Sequence, residues 1–236
     1  DLYKELRLPK LLEKLCKISG IRWIRLQYCY PESVTDELID IVAKEEKICK
    51  YIDIPFQHAS TKVLKNMKRR STLEKNREII KKLREKIPGI VIRSTFITGF
   101  PGETEEDFKT LKEFVKEAEF ERLGVFAYSP EEGTKAAEME NQIDENLKNR
   151  RKDEIMELQS HVSLEKNKEK IGKEITVLCE EKIGNNIFCG RSEADSPEVD
   201  GTVVFEGNAE PGQYVKITVT AAKEYDLEGV MNEFTE

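Results

Sequence analysis

Apolar residues recur three and four positions apart at Leu8, Leu11, Leu12 and Leu15, a spacing that gathers them on one face of a helix. Gly20 interrupts that pattern. Ile21 to Tyr28 then has the length and residue types of a strand, closed by Pro31. Ser33 or Thr35 can cap the next helix, whose apolar face is Leu38, Ile41 and Val42. Tyr51 to Phe56 reads as a second strand. Ser60 caps a short helix through Met67, and Leu73 to Lys86 makes another. Ile90 to Thr98 is a third strand, and Gly99 to Thr104 a sharp turn. Thr104 to Glu117 is an amphipathic helix carrying Phe108, Leu111 and Val115, and Leu123 to Tyr128 is a fourth strand. Strands alternating with helices predict a parallel sheet, open or closed. Four strands fall short of an eight-fold barrel. With no Met ahead of Asp1, further elements are expected in front.

From Asp144 to about Glu169 the chain is polar and helical, with Leu147, Ile155, Leu158 and Val162 as a narrow apolar seam. Beyond Gly172 the period changes. Short runs at Glu174–Cys179, Ile187–Arg191, Thr202–Phe205 and Tyr214–Thr220 are separated by Gly-Asn, Asp-Gly and Pro-Gly turns. These predict a small all-β barrel. The expected division is an α/β domain over 1–140, a linker helix over 141–171 and the barrel over 172–236.

Composition fits a folded chain, at 38% hydrophobic and 36% charged residues. No apolar run reaches the ~18 residues that a membrane span needs, so a cytoplasmic protein with no membrane partner is expected. The net charge of −7 is unevenly placed. From Gly172 onward five Lys/Arg face fourteen Asp/Glu, a net of −9, which leaves +2 for the rest. So acidic a barrel repels phosphate backbones and attracts a basic partner, or simply keeps the surface soluble. The five cysteines, at 16, 29, 49, 179 and 189, are too far apart in sequence for a metal knuckle, and their odd number argues against a disulfide framework. With only His58 and His161 beside them, no metal ligands are expected.

Three stretches stand out. Ser94 to Asp107 joins a buried strand, a Gly/Pro turn and an acidic helix start. Gly99 and Gly102 allow close approach of a ligand at the carboxyl end of a parallel sheet. The same residues also suit an ordinary turn with a Thr104 helix cap. Asp53 to Ser60 places Gln57, His58 and Ser60 together at another strand end, although a lone histidine is more often structural. Arg93, inside the third strand, needs an acidic partner or a ligand if it is buried. Gly190 to Gly201 is rich in turn residues and acidic.

Tyr51-Ile-Asp-Ile-Pro-Phe-Gln-His-Ala-Ser60, Leu64-Lys-Asn-Met-Lys-Arg69 and Arg93-Ser-Thr-Phe-Ile-Thr-Gly-Phe-Pro-Gly-Glu-Thr-Glu-Glu-Asp-Phe108 resemble the radical-SAM methylthiotransferase family. Tyr128-Ser-Pro-Glu-Glu-Gly-Thr134, the Gly190–Gly201 block and Glu224-Tyr-Asp-Leu-Glu-Gly229 resemble its RimO-type, ribosomal-protein-modifying branch rather than its tRNA-modifying branch. The final barrel resembles a TRAM domain. The resemblance implies a truncated partial (β/α) barrel of the radical-SAM type with about four parallel strands, followed by a small all-β TRAM barrel. It implies an enzyme that methylthiolates the β-carbon of an aspartate in small-subunit ribosomal protein S twelve, using S-adenosylmethionine and [4Fe–4S] clusters. A Cys-x-x-x-Cys-x-x-Cys motif holds the radical-generating cluster in that family, and no such motif occurs here. The expectation is therefore a fragment that lacks the cluster ligands, carries no catalytic residue of its own and is inactive alone.

By the same resemblance, Thr95, Ile97, Gly99, Phe100 and Pro101 line the cofactor pocket. Gln57 reaches the ribose, Arg93 is a candidate for the methionyl carboxylate, and Phe126 and Tyr128 lie near the substrate. The acidic barrel then suits a basic ribosomal protein better than nucleic acid. Two alternatives stand beside this reading: a fragment of a tRNA methylthiotransferase, and a non-catalytic module that binds a ribosomal protein.

Overall fold

A computed structural model of the chain describes residues 5–232. It forms two compact units, Asp1–Gln159 and Ser160–Glu236. The first holds helix α1 (Leu8–Cys16), strand β1 (Ile24–Leu26), a 3-10 turn (Pro31–Ser33), α2 (Asp36–Lys44), β2 (Ile48–Asp53), α3 (Thr61–Asn66), α4 (Leu73–Lys86), β3 (Val91–Thr98), α5 (Glu105–Ala118) and β4 (Arg122–Ala127). The strands form one parallel sheet in the order β1-β2-β3-β4. Helix α6 (Glu145–Lys168) follows.

Side-chain alternation gives the sheet two different faces. Ile48, Ile52 and Ile54, then Ile92 and Phe96, then Leu123 and Val125 point to the helices and build the core with Leu38, Leu83, Leu111 and Ile155. Four phenylalanines anchor that layer. Phe56, Phe96, Phe114 and Phe120 meet at centroid distances of 5.7–6.0 Å, several of them edge to face. The opposite face carries Tyr51, Asp53, Arg93, Thr95, Ile97, Gly124 and Phe126.

Caps fix the helix starts. Thr35, not Ser33, accepts the Leu38 N–H, Ser60 accepts from Val63, and Thr72 from Lys75. Ser33 lies inside the 3-10 turn instead. The first strand is shorter than the run from Ile21 to Tyr28, because pairing with β2 covers only Ile24 to Leu26. The second begins and ends earlier than Tyr51–Phe56. Ile54 still bonds the Arg93 carbonyl at 2.9 Å, but Pro55 has no N–H with which to extend the ladder.

In the second unit, β5 (Glu174–Gly184), β6 (Ile187–Ser192), β7 (Val203–Glu206), β8 (Tyr214–Ala222) and β9 (Leu227–Met231) close into a barrel in the order β5-β6-β7-β9-β8. Its core is Val177, Cys179, Phe188, Val203, Phe205, Val215, Ile217, Val219 and Leu227. Strand β9 closes it, pairing parallel to β7 and antiparallel to β8. The sequence pattern predicts no strand there, its last run being Tyr214–Thr220. Gly229 is required: a Cβ would strike the Ile217 side chain and the Thr218 carbonyl.

Candidate functional site at the carboxyl ends of the strands

A cavity of about 820 Å³ opens beside the carboxyl ends of β2 and β3. Its walls include Gln57, Met67, Ile97, Phe100, Ala136 and Met139, and its rim is basic. Gln57 leaves β2 with φ of 71°, a left-handed conformation rare for a residue with a side chain. It is held there by two ladder bonds. Its N–H donates to the Thr95 carbonyl (2.9 Å), and its own carbonyl accepts from Ile97 N–H (2.8 Å). Its Oε1 is buried and has no hydrogen-bond partner. A buried acceptor without a donor costs about 1–3 kcal/mol, and backbone strain of this kind collects at functional sites.

Of the residues expected in the pocket, Gln57, Ile97 and Phe100 line the cavity. Phe100 packs edge to face on Tyr128, with centroids 5.1 Å apart. Gly99 stands behind them at φ 72°, where a Cβ would run into the stem of Lys148. Thr98 Oγ1 donates to the Lys148 carbonyl at 3.1 Å, so α6 presses directly on this turn. Pro101 is buried in the turn and does not line the cavity. Arg93 and Thr95 lie further back along β3 and do not line it either. Arg93 has the acidic partner its position demands, with Nη1 3.0 Å from Asp53 Oδ1. Asp53 also accepts the Tyr28 N–H at 2.9 Å, which ties the segment after β1 to β2. Phe126 projects 59% exposed from β4, on the face opposite the core.

His58 and Ser60 do not line the cavity with Gln57. Both enter a buried polar network behind the turn. Ser60 N–H donates to His58 Nδ1 at 2.9 Å, so Nε2 carries the proton and faces Glu103 Oε2 at 3.2 Å. The same Glu103 oxygen accepts the Gly99 N–H at 2.8 Å, and its other oxygen accepts from Arg151 at 2.7 Å. Ser60 Oγ donates to Asp107 at 2.6 Å, and Lys62 pairs with Asp107 at 3.0 Å. Burial opposes ionisation of Asp107, but hydrogen bonds from Ser60, Thr104 and Lys62 outweigh it and hold the carboxyl well below its ordinary range. The acidic start of α5 is thus a capping box, with Thr104 and Asp107 exchanging bonds.

Sequence reasoning missed the residues that follow α3. Met67, Lys68, Arg69 and Arg70 line the cavity with Tyr30 and Lys135. The signal was present in the Leu64–Arg69 block and in the run of three basic residues, Lys68, Arg69 and Arg70, at its end.

The cysteines do not suit an iron–sulfur cluster. Cys16, Cys49, Cys179 and Cys189 lie on α1, β2, β5 and β6 and Cys29 in the segment after β1, and among the described residues no three His, Cys, Asp or Glu side chains come together in a metal-holding group. Burial, aided by the Asp53 charge, pushes the Cys29 thiol up to about 11, away from the thiolate a metal needs. In the second unit, Asp195 is buried and accepts the Ser192 N–H, while Asp200 accepts the Ser196 N–H at 2.8 Å. These two carboxylates shape their own turn, whereas Glu193 and Glu198 are exposed. Among the described residues no helix is long and apolar enough to cross a membrane.

Comparison with known proteins agrees with this anatomy. Residues 5–115 match the Radical SAM superfamily, and residues 171–231 match the TRAM domain. The chain is 51% identical over 232 residues to a ribosomal protein uS12 methylthiotransferase RimO of Lachnoclostridium phytofermentans, covering 97% of this chain and 53% of that protein. It is 52% identical over 233 residues to the protein of the same name from Desulforamulus reducens, covering 97% and 52%. The chain therefore spans about half the length of the curated relatives it matches. Coproporphyrinogen III oxidase (HemN) from Escherichia coli, a radical SAM enzyme, shares the fold at a TM-score of 0.53 and 19% identity, over 66% of this chain and 36% of that one.

Proposed function

We propose that this chain, a member of the radical-SAM methylthiotransferase family, supplies the S-adenosylmethionine-facing wall and the TRAM barrel of an enzyme that methylthiolates an aspartate of ribosomal protein uS12. Residues 1–140 serve as the cofactor-facing domain, 141–171 as the connecting helix and 172–236 as the barrel. The observation that carries the reading is Gln57. A strained residue at a strand's carboxyl end holds a buried, unpartnered acceptor beside a cavity lined by Ile97 and Phe100. Such an acceptor fits a ribose hydroxyl or an amino group, and the apolar pair fits the flat faces of a nucleoside.

Gln57, Ile97 and Phe100 would hold S-adenosylmethionine, which, with a cluster held outside this chain, would supply the chemistry for hydrogen abstraction from an unactivated carbon. The residues of this chain position and enclose. Gln57 Oε1 would accept from the ligand and orient it. Ile97, Phe100, Met67 and Met139 exclude water from its apolar side. Glu103, tied to Gly99 N–H, His58 and Arg151, fixes the turn that presents Phe100. Arg93, engaged with Asp53, stiffens the sheet behind the cavity, and Thr95, Gly99 and Pro101 shape its support. No step is assigned to the cysteines of this chain.

The acidic surface of the barrel, with Glu193 and Glu198 exposed, suits a basic ribosomal protein by charge. The test joins this chain to the remaining half of the Lachnoclostridium relative and follows uS12 by mass spectrometry. A methylthio adduct on an aspartate is expected, and it should be lost or strongly reduced with Gln57→Ala. Modification of tRNA instead would overturn the substrate, and unchanged S-adenosylmethionine affinity in Gln57→Ala would overturn the site.

A further inference from the structure

The rim of the cavity has a charge that the cofactor does not call for. Lys68, Arg69, Arg70 and Lys135 line it, against the single carboxylate of Glu32. This is a concentration of positive charge in a chain whose net charge is −7. Arg69 is already engaged. It donates to the Pro55 carbonyl at 3.0 Å and stacks on Tyr30 at 4.9 Å. Lys68, Arg70 and Lys135 are exposed and have neither an ion pair nor a side-chain hydrogen bond among the described residues. Lys68 is also placed with care. It ends α3 at φ of 60°, with the following Arg69 N–H bonded back to the Leu64 carbonyl at 2.9 Å. That position usually belongs to glycine, and a lysine there costs about 1 kcal/mol.

S-adenosylmethionine itself carries a sulfonium and an ammonium against one carboxylate, so an excess of cations is poorly matched to it. The wall below the rim is apolar, through Met67, Ala136 and Met139. A short chain ending in an anion fits both parts: carbon against the wall, charge at the rim. We propose that Lys68, Arg70 and Lys135 form a carboxylate clamp that receives the acidic side chain of a polypeptide substrate and holds its carbon next to the cofactor. The proposal rests on the reading that the modified group is an aspartate, and it assigns the residues that select it. The clamp also explains how a substrate rich in basic residues can enter a basic rim, because only its acidic side chain needs to reach these cations.

The test is fluorescence anisotropy at low ionic strength with a labelled peptide that carries one aspartate among glycine, serine and lysine, and with its asparagine twin. The aspartate peptide should bind the chain roughly tenfold more tightly, a difference that fades as salt rises. In the variant K68A/R70A/K135A that preference should vanish, while S-adenosylmethionine affinity, measured by calorimetry, stays unchanged. Equal binding of the two peptides by the unaltered chain would overturn the clamp, and this comparison needs no variant to fold. A triple variant that lost S-adenosylmethionine affinity would overturn it too, by giving the rim to the cofactor's own carboxylate. Tighter binding of a single-stranded RNA, abolished in the variant, would assign the rim to phosphate instead. Peptide and cofactor are read separately, so a failed clamp leaves the Gln57 site standing. A chain that binds no S-adenosylmethionine counts against the site itself.

Discussion

Replacing Arg151 by alanine should unfold the first unit far more easily than any surface ion-pair substitution. Its guanidinium is 4% exposed and meets Glu103, whose side chain is fully buried. One nitrogen donates to Glu103 Oε1 at 2.7 Å, the other to Glu105 at 2.9 Å, and the group stacks over Phe108 at 5.2 Å. Removal leaves the Glu103 carboxylate in the interior with only His58 and the Gly99 N–H for partners. Breaking a buried pair from one side costs about 3–5 kcal/mol. Exposed pairs such as Arg77–Glu117, with side chains 43% and 51% exposed, contribute about 0–1 kcal/mol.

Urea unfolding followed by fluorescence of Trp23, the only tryptophan, reads the first unit selectively. Arg151→Ala should lose about 3–5 kcal/mol, with a fall in Tm of roughly 2–4 °C per kcal/mol for a unit of this size. Arg77→Ala is the control. Glu103→Gln added to Arg151→Ala should recover part of the loss, because a neutral amide removes the stranded charge. A loss below about 1 kcal/mol, equal to that of the control, would refute the claim that this network holds the turn.

Three further outcomes follow from the same geometry. Gln57→Ala should weaken S-adenosylmethionine binding roughly tenfold by calorimetry while leaving stability equal or higher, since it removes a buried acceptor that has no partner. Asp107→Asn should destabilise the first unit at neutral pH, and the gap to the unaltered chain should close as pH falls below about 4. The carboxyl is depressed in the folded state, so its contribution is present above the unfolded value and lost on acidification; a gap independent of pH in urea titrations would contradict this. Gly229→Ala should cost about 1–3 kcal/mol by forcing β9 off β8, read as faster hydrogen exchange over residues 203–231.

Much of the first unit was legible because its signals are local. The helix over Leu8–Cys16 announces itself by its period and that over Thr61–Asn66 by its Ser60 cap, and β3 and β4 by β-branched and aromatic runs. What escaped depends on partners distant in sequence. β9 is a strand through its pairing with β7 and β8, and its Gly229 has its reason in the close approach of Ile217. The basic rim escaped for a similar reason. Lys68 and Arg70 look like a solvated helix end, and only the packing of Met67 against Phe100 and Tyr128 turns that end toward a cavity.

The segment from Asp53 to Ser60 shows where reading by proximity misleads. Gln57, His58 and Ser60 are close in sequence, so their polar groups invite one site. Yet the chain has left the strand here, with Gln57 in a left-handed conformation and Ser60 already capping α3. His58 and Ser60 are drawn to Glu103 and Asp107 on the helix side, and Gln57 is left toward the cavity. The two halves still act on one another through the backbone. The bonds from Gln57 to Thr95 and Ile97 lock β2 to β3, and Glu103 locks the turn after β3 to His58. Gln57 is held in its strained conformation by these backbone bonds, with His58 and Ser60 bonded on the other side. The network on the helix side thus fixes the backbone on which Gln57 presents its unpartnered Oε1 to the cavity.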